Sequence, residues 1–146
     1  MTNQSADMLR VMKAIITAWH TQDVEGVLAH LTEDVVWHNS SGYAPAANGK
    51  AAMRSVLQTM APLIEKSAWR MFDYAVSGNC LFTEGVDEFW TKSGAHVAIP
   101  YAGIFEFRGS QICDWREYFD GRISSEMKNG APMTDEIRSL IERQAI

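Results

Sequence analysis

The sequence predicts an α+β fold. It is a cone-shaped barrel in which a curved antiparallel sheet wraps around three N-terminal helices, with a short C-terminal helix. Three observations predict it. Apolar residues recur at helical spacing in the first part of the chain, the period then changes to alternation, and the turns between the alternating stretches are short. Helices followed by a run of strands mark α+β rather than α/β. Short turns between consecutive strands make an antiparallel meander.

The elements follow in order. A first helix runs from about Ser5 to His20, with Met8, Met12, Ile15 and Trp19 on one stripe. Asp23 is placed to cap a short second helix carrying Val27, Leu28 and Leu31. Val35 to Asn39 reads as a strand, and SSGYAPAANG as a loop of turn formers. A third helix spans about Lys50 to Ala61, buries Met53, Val56, Leu57 and Met60, and should end or kink at Pro62. Four strands follow: Ala68–Val76, Cys80–Thr91, His96–Phe107 and Ile112–Asp120. The turns between them are Ser77-Gly78-Asn79, Lys92-Ser93-Gly94 and Arg108-Gly109-Ser110. Thr134 can cap a last helix, with Asp135 and Glu136 well placed in its first turn.

Composition narrows the function. The chain's 146 residues suit one domain, 1–146, with a full core. A hydrophobic content of 47% argues against disorder. The net charge of −5 weighs against nucleic acid, which needs a basic face, and against an anionic membrane surface. Cys80 and Cys113 are far apart and fit no metal spacing, as expected of free thiols in a reducing compartment. MTNQSADMLR has no apolar signal core, and no apolar run reaches membrane-spanning length, so a cytoplasmic location is expected.

Candidate chemistry lies on the strands, where alternate residues share a face. In QICDWREYFD, Cys113, Trp115, Glu117 and Phe119 share one, which puts a carboxylate among aromatics. That placement is costly unless the group is paired or protonated. In LFTEGVDEFW, Leu81, Thr83, Gly85, Asp87 and Phe89 share a face, but the opposite face is mixed too, so alternation does not decide which is buried. Trp37 and Asn39 share a face of VVWHN. The four histidines are scattered without partners at ligand spacing, so no metal is expected. No GxSxG elbow and no glycine-rich nucleotide loop occurs, so no cofactor is expected.

VVWHN with NGKAAMRSVL, then LFTEGVDEF and VAIPYAGIFEFRGSQICDWREYFD, resembles the SnoaL-like and limonene-1,2-epoxide hydrolase group. That group belongs to the superfamily of nuclear transport factor 2 and ketosteroid isomerase. The likeness runs from the first helix to about Asp120, and WREYFD is its most specific piece. It implies that Glu117 stands at a water-activating carboxylate, Asn39 at its supporting amide and Asp87 at the acid. Trp37 stands where that pattern has tyrosine. Gly85 stands where it has an arginine bridging the two acids, leaving room beside Asp87 for a larger substrate. Only Arg70 and Arg116 are candidates to replace the arginine, and Arg116 alternates away from Glu117. Trp37, Gly85, Trp115, Phe89 and Tyr101 are the expected substrate-binding set.

Two functions follow. One is a cofactor-free acid/base enzyme for a small hydrophobic molecule, either epoxide hydrolase-like or isomerase/cyclase-like. Without the arginine, two close carboxylates should not both ionise readily, and one pKa should be raised. The other is a non-catalytic binder of a small hydrophobic ligand on the same fold. The resemblance also implies a homodimer, since a six-strand cone leaves a broad face to cover, here Phe82, Val86, Trp90, Ile104 and Tyr118.

Overall fold

The computed structural model describes residues 3–39 and 41–146; Ser40, part of the expected loop SSGYAPAANG, lies outside the described residues. Helix α1 (Asn3–His20) turns Met8, Val11, Met12, Ile15 and Trp19 inward. The Asp23 side chain caps α2 (Val24–Leu28) by accepting from the Gly26 N–H at 2.9 Å. That helix is shorter than its apolar content implies. Leu31 is not helical and opens strand β1 (Leu31–His38), where it is fully buried. A two-residue β2 (Ala47–Asn48) leads through Gly49, at φ +90°, into α3 (Lys50–Met60). Pro62 then falls in a single 3₁₀ turn, Ala61–Leu63.

The rest of the sheet is β3 (Ile64–Ser67), β4 (Arg70–Ser77), β5 (Cys80–Thr91), β6 (His96–Arg108) and β7 (Gln111–Tyr118). The fold is α+β, as the change of period predicts, with a seven-stranded curled sheet ordered β2-β1-β7-β6-β5-β3 and β4 also pairing β5. Two features differ from the sequence expectation. The sheet is mixed rather than antiparallel, because β1 pairs parallel with β7, in a register that sets Trp37 beside Trp115. This contact joins chain segments about eighty residues apart, and no turn motif announces it. In addition, β3 and β4 share one edge of β5, with a break at Ala68-Trp69 that brings Trp69 into the core.

The C-terminal end holds two helices, not one. Asp120 caps α4 (Gly121–Lys128), and Thr134 caps α5 (Asp135–Ile141) as expected. Helix α4 buries only Met127, so its sequence shows no apolar stripe. The main core lies between α1–α3 and the concave face of the sheet. A second core gathers Phe72, Val86, Val97, Ala98, Ile99, Met127 and Ile137 beneath α4 and α5. Val86, expected on a face open to a partner, is therefore covered by its own chain; Phe82 and Tyr118 stay exposed. Among the described residues, no helix is long and apolar enough to cross a membrane.

Candidate active site

The inner ends of β1, β5 and β7 meet at a cavity of about 440 Å³, counting its open side. Trp37, Asn39, Asp87, Trp115 and Glu117 line it, with Trp19, Met53, Leu57, Met60 and Trp69. Alternation along each strand accounts for the convergence, since Trp37 and Asn39, and Trp115 and Glu117, are two apart. The aromatic wall is continuous. Trp69 stacks on Trp115 at 5.9 Å between centroids, and Phe105 and Trp37 lean on the same ring at 5.1 and 6.0 Å. Two adjoining lobes share Asp87. One is lined by Ile99, Tyr101, Glu117, Phe119 and Ser124, and both include Phe89 and Lys128.

The Trp37 indole N–H donates to Glu117 Oε2 at 3.3 Å. The loop after β1 is tied across the end of β7. Ser41 N–H donates to the Glu117 carbonyl at 3.2 Å, and the Phe119 N–H donates to Ser41 Oγ at 3.3 Å. Burial pushes the Glu117 carboxyl up to about 7, assisted by the Asp87 charge and opposed by the Trp37 and Trp115 indoles. Burial also pushes Asp87 up to about 6, and Lys128 pulls it back. Among the described residues, Asp87 Oδ1 is buried without a hydrogen-bond partner. By strict geometry so are Thr83 Oγ1 and the indole N–H groups of Trp69 and Trp115, though the Trp115 indole lies close enough to Glu117 to favour its charged form. Each such group costs on the order of 1–3 kcal/mol. Asp87, Trp69 and Trp115 line the cavity, so an acceptor and two indole donors stand at its apolar wall.

Gly85 is not a void. An added Cβ would lie 2.0 Å from the Arg70 carbonyl oxygen and 2.7 Å from the Tyr101 hydroxyl. Tyr101, the β6 residue paired with Gly85, lies over the glycine and donates its hydroxyl to that carbonyl at 3.2 Å. The expected room for a larger substrate is therefore filled, and Gly85 supports Tyr101 rather than lining the cavity. The other expected substrate-binding residues, Trp37, Trp115, Phe89 and Tyr101, line the cavity or its lobes. Neither candidate arginine replaces the missing bridge. Arg70 pairs with Glu88, and Arg116 with Asp114 and Glu106, all on the other side of the sheet.

The cation that does reach Asp87 is Lys128, the last residue of α4. Its ammonium lies 5.7 Å from the Phe89 ring centroid. The only sequence signal for it is Asp120 as a cap eight residues earlier. Among the described residues, no group of three His, Cys, Asp or Glu is gathered as metal ligands.

Comparison with known proteins places these features. The sequence profile of the SnoaL-like domain matches residues 12–115. Among solved structures, an LEH-like epoxide hydrolase from M. tuberculosis superposes with a TM-score of 0.73 at 23% identity, covering 86% of this chain and 92% of its own. A protein of ketosteroid isomerase-like fold from Catenulispora acidiphila, in complex with trimethylamine, gives 0.71 at 16% identity, covering 84% and 97%. A provisionally assigned SnoaL-like polyketide cyclase from Shewanella denitrificans gives 0.75 at 12% identity, covering 85% and 98%.

Proposed function

This chain belongs to the SnoaL-like domain family, and from that premise we propose that it is a cofactor-free acid/base enzyme that moves a proton on a small, largely apolar carbonyl compound. The observation that carries the proposal is the buried, unpartnered Asp87 Oδ1, in one aromatic cavity with Glu117. Two carboxylates held at unequal protonation can serve as base and acid in one site.

The neighbours of each carboxylate support an assignment of roles. Asp87 has the Lys128 cation to favour its ionised form, whereas Glu117 has only indole donors and feels the Asp87 charge. Asp87 is then the base and Glu117 the protonated acid. Asp87 takes a proton from the carbon next to the carbonyl. The electron pair moves toward the carbonyl oxygen, which the protonated Glu117 carboxyl stabilises by hydrogen bonding. In a β,γ-unsaturated substrate the enolate is a dienolate, and returning the proton to its γ-carbon completes an isomerisation. No bridging arginine is needed for these steps. The aromatic wall lowers the polarity around the charged groups, which strengthens their interactions.

Asn39 favours a second reading. It lines the cavity with Glu117, so a water held between them would attack an epoxide if Glu117 were the ionised member. The test is a panel of enolisable ketones and small epoxides, followed by deuterium incorporation from D₂O and by diol formation. Exchange at the α-carbon, lost in Asp87→Asn by about 10²–10⁴-fold, is expected. Diol formation without exchange would select hydrolysis. Ligands that bind but neither exchange nor hydrolyse would make the protein a binder.

A further inference from the structure

Beside the inner cavity, the lobe that runs out from Asp87 is wide and apolar. It holds about 890 Å³ of space, counting its opening. Met60, Leu63 and Phe89 form its walls, Asp87 stands at its inner end, and Lys92 and Lys128 line it. Among the described residues, neither lysine has a carboxylate within ion-pair distance, whereas Lys50 pairs with Glu33. The backbone of Lys92 is fixed: its N–H donates to the Leu63 carbonyl at 2.9 Å, tying the β5–β6 turn to the 3₁₀ turn after α3. Lys128 is held by α4, whose Met127 is buried in the second core. Two solvent-exposed lysines on fixed backbone thus line the opening of this apolar lobe, in a chain whose net charge is −5.

We propose that Lys92 and Lys128 hold the carboxylate of the substrate, which is a small amphipathic monoanion whose apolar body passes Phe89 toward Asp87. Charge balance selects a monoanion. Two ammonium groups less one ionised Asp87 leave a single positive charge, which one carboxylate neutralises. Neither lysine offers the planar fork that arginine presents to a phosphate. The lysine stems can lie along the apolar wall while their heads face the anion. The assignment of Asp87 as an ionised base, and with it the choice of a monoanion, rests on the function proposed above; the capture of a carboxylate by the two lysines does not.

Binding tests this without turnover. Four tryptophans line the inner cavity, so their fluorescence reports occupancy. The probes are 4-phenylbutanoate and its neutral amide, titrated at pH 8 into the wild type, Lys92→Met, Lys128→Met and Asp87→Asn, each checked for fold by circular dichroism. The wild type should prefer the carboxylate by about tenfold, and the preference should shrink in high salt. Either lysine variant should lose most of that preference while still binding the amide, and Asp87→Asn should keep or increase it. Equal affinities for the two probes, a preference unchanged in both lysine variants, or no binding of either probe at millimolar concentration would overturn the proposal. A preference for the carboxylate in a protein that exchanges no deuterium would leave the anion site standing and remove only the proton-transfer function.

Discussion

Asp87 and Glu88 are neighbours on β5, and their side chains lie on opposite faces of the sheet. Both carboxylates leave bulk water, but they do so differently. Glu88, only 3% exposed, pairs with Arg70 at one oxygen and meets His96 Nε2 at 2.8 Å at the other. His96 is itself stacked on Trp90 at 4.4 Å between ring centroids. Asp87 has a buried oxygen with no partner and only a more distant lysine. A buried carboxylate whose acceptors are filled is part of the framework. One whose acceptors are left open, in a cavity, is available to a ligand.

The comparison can be broken at either residue. The largest effect is expected from Asp87→Asn, which should remove proton transfer by about 10²–10⁴-fold and yet stabilise the protein at pH 8. The sign follows from the raised pKa. The aspartate titrates near 6 folded and near 4 unfolded, so its contribution to stability is whole below about pH 4 and lost as pH rises through 6. Removing the charge recovers up to about 3 kcal/mol at pH 8. Urea unfolding of both proteins at pH 5 and pH 8 checks it, with roughly half of the gain already present at pH 5 and the whole of it at pH 8. A loss of stability at pH 8 would mean that Asp87 is structural.

Arg70→Met tests the opposite face. It leaves Glu88 buried with His96 alone, and should destabilise by about 2–3 kcal/mol while changing the rate little. Thermal melting and the exchange assay together separate the two faces. A comparable loss of rate with intact stability would erase the distinction. The smallest effect is expected from Lys128→Met. Because Lys128 lowers the Asp87 pKa, its loss should move the acidic limb of the pH–rate profile upward by a few tenths of a unit to about one unit. An unmoved limb would show that Lys128 does not act on the base.

How much of this was legible in the sequence differs between the same regions. The strands that carry Trp37 and Glu117 read directly, because alternation places a carboxylate among aromatics, whereas Asn39, one residue beyond β1, came from the family resemblance. Asp87 was ambiguous because the opposite face, Phe82, Glu84, Val86, Glu88 and Trp90, is as mixed as its own. That face is in fact occupied, by Arg70 and His96 around Glu88 and by the second core around Val86. Helix α4 was invisible, since a helix burying one residue has no period, and with it Lys128. Gly85 was misread as space because its occupant, Tyr101, comes from the next strand, and cross-strand register is not written in a single segment. The parallel β1–β7 pairing escaped for the same non-local reason.

The central claim is that Asp87 and Glu117 share one aromatic-walled cavity as a base and its acid. It is tested most directly by ¹³C-carboxyl NMR titration of the wild type and Asp87→Asn. The expected midpoints in the wild type are about 6 for Asp87 and about 7 for Glu117. In the variant the Glu117 midpoint should fall, because the neighbouring charge is gone, yet stay above the ordinary range because burial remains. Two wild-type midpoints near 4, or a Glu117 midpoint that does not respond to Asp87→Asn, would contradict the account.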